Sequence, residues 1–225
     1  MPLAEQRDPT TAASQAASGS APPPPPAASA LTPPNIITLS RLVLAVFLFW
    51  LIDRRGHWLA AGVVFAIAAA TDALDGYIAR RYGMVTKLGR ILDPFVDKVI
   101  IGGAFMFLAV QHDSGVNAWM VMIVIGREMF VTSLRSVLEQ EGKDFSAIMS
   151  GKIKMVVQCA AVAGSLLYLE YAGRVLDVDY AGRPPENSLV IIRNVRDVLL
   201  WSSVAITLYS GYEYVVRAAR MFRSP

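Results

Sequence analysis

Thr71-Asp-Ala-Leu-Asp-Gly-Tyr-Ile-Ala-Arg80, continued through Arg81–Arg90 to Ile91-Leu-Asp-Pro-Phe-Val-Asp97, sets four carboxylates between two apolar runs. The acids are Asp72, Asp75, Asp93 and Asp97. Upstream lies Trp58-Leu-Ala-Ala-Gly-Val-Val-Phe-Ala-Ile-Ala-Ala-Ala70, and downstream Val99-Ile-Ile-Gly-Gly-Ala-Phe-Met-Phe-Leu-Ala-Val110. Both flanks have the length and composition of membrane-spanning helices. Ionised carboxylates at the ends of such helices are costly unless a cation shares the site, so they are functional candidates.

Composition agrees with a membrane setting. Hydrophobic residues make up 54% of the 225 and charged residues 17%, below the roughly 25% usual in soluble domains. The mean hydropathy is +0.44. A net charge of +3, with its basic residues spread along the chain, fits a face meeting anionic lipid and does not argue for nucleic acid. The single cysteine, Cys159, excludes an intramolecular disulfide. His57 and His112 lack Cys or His neighbours at ligand spacing, so zinc is not expected. A metal here needs oxygen ligands, which points to magnesium, manganese or calcium.

Residues 1–34 are rich in Ala, Ser, Thr and Pro, with five consecutive prolines at Pro22–Pro26. They read as a disordered cytoplasmic tail with a short polyproline II segment and no secretory signal. Six apolar spans are expected after it, at about Ile36–Ile52, Trp58–Ile78, Asp93–Val110, Ala118–Leu138, Ile153–Leu169 and Val198–Val216. An all-α, six-helix membrane domain over 35–225 is therefore expected, with both termini on one side. Arg54, Arg55, Arg174, Arg183, Arg193 and Arg196 fall on one side of that topology, and the other fifteen of the 21 Lys and Arg on the opposite side. The excess makes the side of the termini and the acids cytoplasmic. Glu170–Arg196 reads as a long loop with room for a short interfacial helix.

Asp72 and Asp75 are three residues apart, and Asp93 and Asp97 four, so each pair lies on one helix face. The polar turn between them lets the two helices run antiparallel and brings the pairs together. Four clustered carboxylates repel unless neutralised. Two divalent cations bridged by them would clamp a phosphoryl group. Gly76, Ala79 and Gly89 leave room for a ligand beside the acids, and Arg80 can pair with a phosphate. Taken singly, each feature has a bland reading: a solvated acid, a turn Asp-Gly, a packing glycine. Four acids in two helical pairs on adjoining spans do not.

Asp72-x2-Asp75-Gly76-x2-Ala79-Arg80-x8-Gly89-x3-Asp93-x3-Asp97 resembles the complete signature of the CDP-alcohol phosphatidyltransferase family. The likeness extends over about residues 35–220. It implies six transmembrane helices, a homodimer and a cytoplasm-facing site taking CDP-diacylglycerol. It also implies that Asp72, Asp75, Asp93 and Asp97 hold two divalent ions, Mg2+ or Mn2+, with Asp97 also the general base. Gly76, Ala79, Arg80 and Gly89 would contact the cytidine diphosphate.

The acceptor alcohol is decided elsewhere. Arg127, Arg135, Lys152 and Lys154 would gather at the cytoplasmic ends of the fourth and fifth spans and suit an acceptor carrying its own phosphate. Ordinary positive-inside charge is the competing reading. Asn35, Thr38 and Arg41 recur at i, i+3 and i+6, as a capped helix start with a snorkelling arginine or as a lipid-headgroup site. The order Arg-Glu, Leu-Arg, Gly-Lys, Gly-Lys-x-Lys, Gln, with Pro34-Asn35-x2-Thr38-x2-Arg41, resembles the branch of the family that takes glycerol 3-phosphate, although Met155 stands where that branch places a small polar residue. Phosphatidylglycerol, serine and inositol phosphate are the other acceptors of this fold. A metal transporter is the reading from a different class, and acids clustered at one membrane face beside Arg80 argue against it.

Overall fold

A computed structural model describes the backbone of residues 33–82, 87–141, 149–176 and 185–223, and the side chains of these save 33–37, 72–82, 87–91, 186 and 223. By their contacts, residues Leu31–Pro225 make one compact unit. Among the described residues all regular structure is helical. The helices are α1 (Pro33–Asp53), α2 (Trp58–Tyr82), α3 (Lys87–Ala109), α4 (Ala118–Gln140), α5 (Met149–Leu176) and α6 (Glu186–Arg223). Residues 1–32, read from sequence as a tail, lie outside the described part.

Five of the six expected spans fall within one of these helices and the third overruns α3 by one residue, Val110, but the last two elements are longer than expected. The stretch read as a loop, Glu170–Arg196, is helical at both ends: α5 continues to Leu176 and α6 begins at Glu186. Two local causes are visible. Arg174 pairs with Glu170 one turn back at 2.8 Å, which supports the last turns of α5. Arg196, buried in the first half of α6, docks on α5 and on the α3–α4 turn. Hydropathy alone hides this, because that half of α6 carries several charges. At 1.5 Å per residue the 38 residues of α6 span about 57 Å, nearly twice a bilayer core of about 30 Å.

One helix, Met149–Leu176, is by itself long and apolar enough to cross a membrane, and Trp58–Thr71 is a shorter apolar run. The distribution of side chains says more. Val43, Val63, Ile67, Trp119, Val156 and Trp201 face outward, while Gln158, Ser165, Ser203, Thr207 and Ser210 are buried. Buried polar groups must be satisfied, and here they bond to one another, to carbonyls or, for Ser210, to Arg127 and Ser150. Gln158 donates to Thr207 at 2.9 Å, and Thr207 to the carbonyl of Ser203 at 2.6 Å.

The core has two parts. Leu48, Ile52, Phe65, Phe105 and Leu108 belong to the larger cluster, which joins α1, α2 and α3 to α5 and α6. A smaller cluster of Val131, Leu138, Tyr214 and Ala218 joins α4 to α6. At the end of the bundle away from the acids, the α3–α4 turn is fastened from behind. Ser165 donates to the Ser114 carbonyl at 2.5 Å, and Arg196 donates to the carbonyl of Asp113 while lying 4.0 Å over the Tyr168 ring. Gly115 there has φ +79° and sits where a Cβ would come within 2.7 Å of Arg196 Nε, so both conformation and space require glycine. Asn117 then accepts the Met120 N–H at 3.0 Å and caps α4.

Candidate active site

The acidic stretch of the sequence lies on the last turns of α2 and the first half of α3. Asp72, Asp75, Gly76, Ala79, Arg80 and Gly89 are in helical backbone, and their side chains lie outside the described set. Asp93 and Asp97 lie within it, on one face of α3, with Pro94 inside the helix between them. Pro94 has no N–H to give the preceding turn.

α1 runs alongside α3 and meets both acids. Thr38 Oγ1 donates to Asp93 Oδ1 at 2.6 Å. Arg41, 2% exposed, pairs through Nη2 with Asp97 Oδ1 at 2.6 Å. Residue numbers rise together along the two rungs, so α1 and α3 are parallel here. The pattern of Thr38 and Arg41, read from sequence as a cap or headgroup site, brings these residues onto the acids instead. Asn35 lies outside the described side chains.

A second cluster starts one residue later. Lys98 donates to Thr132 Oγ1 at 2.6 Å, and Thr132 to the Glu128 carbonyl at 2.7 Å. The Glu128 carboxylate holds Lys154 of α5 and Arg127 at 3.1 Å. Arg127 also donates to Ser210 at 2.5 Å and lies 5.2 Å over the Tyr214 ring. Arg135 reaches the Tyr214 hydroxyl at 3.4 Å. A Cβ on Gly211 would stand 3.3 Å from Arg127 Cγ, so this glycine lets the arginine lie against α6. The cluster therefore joins α3, α4, α5 and α6, and two of its four cations, Arg127 and Lys154, pair with the Glu128 carboxylate.

Of the four cations expected together, Arg127, Arg135 and Lys154 meet. Lys152 does not: it is exposed, because two residues along a helix turn a side chain to the opposite face. Sequence reasoning missed Lys98, Ser210 and Tyr214 as members. Lys98 was visible as the residue after Asp97, but nothing in α6 marked Ser210 or Tyr214. Arg127 and Arg135 each keep a buried Nε that has no hydrogen-bond partner, a donor surplus suited to an anion.

The donor set beside α3 is carboxylate oxygen, which suits a hard divalent cation. Among the described residues no three acids or histidines converge as a ligand set. Asp93 and Asp97 supply two acids, and the sequence places Asp72 and Asp75 on the adjoining helix end.

The model of the CDP-alcohol phosphatidyltransferase family matches residues 31–209. A Bacillus subtilis protein named CDP-diacylglycerol–glycerol-3-phosphate 3-phosphatidyltransferase is 35% identical over 195 residues, 80% of this chain and 92% of that protein. A Mycobacterium tuberculosis protein named probable phosphatidylglycerophosphate synthase is 36% identical over 191 residues, 83% of this chain and 81% of that one. An Escherichia coli protein with the same name as the Bacillus one is 35% identical over 155 residues, 64% of this chain and 83% of its own length.

Proposed function

Because the chain belongs to the CDP-alcohol phosphatidyltransferase family, we propose that it transfers the phosphatidyl group of CDP-diacylglycerol to glycerol 3-phosphate, releasing CMP and forming phosphatidylglycerophosphate. The names of the relatives from Bacillus subtilis and Escherichia coli support this acceptor. The observation that carries the reading is the step from Asp97 to Lys98. One residue belongs to the acidic face of α3, and the next is bonded to α4 and so to the cation cluster. A phosphate-bearing acceptor held by those cations has its hydroxyl beside the acids.

Asp72, Asp75, Asp93 and Asp97 would hold two divalent ions, Mg2+ or Mn2+, and Gly76, Ala79, Arg80 and Gly89 would receive the cytidine diphosphate. The bound metal supplies charge neutralisation of the diphosphate and polarisation of the attacked phosphorus. The chain's own residues do the rest. Arg127, Arg135, Lys154 and Lys98 bind and orient the acceptor phosphate. Asp97 takes the proton of the acceptor hydroxyl, whose oxygen bonds to the lipid-side phosphorus as the bond to CMP breaks. Arg80 stabilises the charge on departing CMP. Positioning and fixed charge carry most of such a transfer.

We also propose six membrane spans, cytoplasmic termini and site, and a homodimer. The outward apolar belt and buried polar residues support burial in lipid, the distribution of Lys and Arg supports the orientation, and the family likeness supports the dimer. The test is an acceptor panel with the purified protein in detergent, CDP-diacylglycerol and Mg2+ or Mn2+. Labelled glycerol 3-phosphate is expected to yield CMP and a labelled lipid. Turnover of phosphatidylglycerol, serine or inositol phosphate without turnover of glycerol 3-phosphate overturns the assignment.

A further inference from the structure

We infer that Arg41, with Thr38 one turn before it, is a positioning device of the acidic site: it holds Asp97 in place and competes with bound metal for that carboxylate. The inference rests on the reading of Asp93 and Asp97 as metal ligands. Its own support is geometric. The two α1 residues are three apart, the two α3 acids four apart, and each partner reaches its own acid at 2.6 Å. Both α1 side chains are buried, Thr38 at 3% and Arg41 at 2% exposed, while the Asp97 side chain is 29% exposed. The clamp is therefore built from the protein side, and the acid keeps an open side.

A buried guanidinium is strongly destabilising without a counter-charge, so Arg41 needs Asp97 as much as Asp97 needs Arg41. On the reading that gathers Asp72 and Asp75 with Asp93 and Asp97, one fixed positive charge lowers the mutual repulsion of the acids before metal arrives. The same charge opposes the metal once it arrives. Arg41 thus sets the metal affinity of the site below what four acids would otherwise give, and fixes the Asp97 rotamer for proton transfer. Thr38 gives Asp93 a neutral hydrogen bond, which orients without competing by charge.

The two roles separate by sign. Mn2+ binding to the metal-stripped, detergent-solubilised protein is measured by calorimetry or electron paramagnetic resonance, with melting temperature as the check on folding. Arg41→Gln is expected to tighten Mn2+ binding, roughly five- to twenty-fold for one charge removed at short range in a wet site, while kcat falls. Arg41→Lys, which keeps the charge, is expected to hold Mn2+ affinity within about two-fold of the parent, with kcat between the two. Asp97→Asn is expected to weaken Mn2+ binding, and adding Arg41→Gln to it to recover part of the loss, because the charge of Arg41 acts on the metal with or without Asp97. This double variant removes both charges of the pair together, so it is readable if Arg41→Gln alone does not fold. Weaker or unchanged Mn2+ binding in Arg41→Gln, or no recovery when Arg41→Gln is added to Asp97→Asn, overturns the inference. Unchanged Mn2+ binding in Asp97→Asn overturns instead the metal reading beneath it.

Discussion

Replacing Lys154 by methionine removes one charge from the cation cluster while keeping the length of the side chain. The structure bounds the cost to the fold. Lys154 is 5% exposed and its partner is Glu128, but Glu128 also pairs with Arg127 at 3.1 Å. The carboxylate therefore keeps a counter-charge, and a near-isosteric swap in a packed site costs under about 1.5 kcal/mol. The functional loss is larger. A hydrogen bond to a charged partner contributes about 1.5–3 kcal/mol, or roughly 12- to 150-fold in kcat/KM. Initial rates with each substrate varied in turn provide the assay. The loss is expected in the KM for glycerol 3-phosphate, with the KM for CDP-diacylglycerol unchanged. Lys152→Met, two residues away on the exposed face of the same helix, is expected to stay within about two-fold of the parent, as surface charges do. Equal losses in the two variants, or a rise in the KM for CDP-diacylglycerol alone, would refute the assignment of Lys154 to the acceptor phosphate.

Three further outcomes are expected. Asp97→Asn keeps the shape of the side chain but cannot take a proton, so kcat should drop by about 10²–10⁴-fold with CDP-diacylglycerol binding retained; full turnover removes the base assignment. Stripping the protein with a chelator should abolish CMP release, and Mg2+ or Mn2+ but not buffer alone should restore it, if Asp72, Asp75, Asp93 and Asp97 hold the metal as proposed; activity that survives exhaustive chelation contradicts the metal reading. Gly115→Ala forces a side chain into φ +79° and against Arg196, which should cost about 1–3 kcal/mol and lower the melting temperature. Because the α3–α4 turn is remote from the acids, the folded fraction should keep its specific activity.

Much of this was legible in residue order. The four acids are spaced for helix faces, and a 3.6-residue period is local, so the pairing of Asp72 with Asp75 and of Asp93 with Asp97 along their helices needed no tertiary structure. The existence of six helices also followed from local apolarity. The starts and ends of α5 and α6 did not. Arg174, Glu170 and Arg196 read as loop charges until their partners are known, because neither the Glu170–Arg174 pair along α5 nor the docking of Arg196 on Tyr168 and the Asp113 carbonyl leaves a mark on hydropathy.

The site divides in the same way. Sequence by itself determined the acid motif, the family and the set of basic residues from which an acceptor site could be made. The tertiary structure decided which basic residues share one place. It turned Lys154 inward to Glu128 and Lys152 outward, and it added Lys98, Ser210 and Tyr214 from helices that sequence spacing does not connect. It also gave Thr38 and Arg41 to Asp93 and Asp97. The reason is physical: helical periodicity sets which face a residue occupies, but only the packing of one helix against another sets what that face meets.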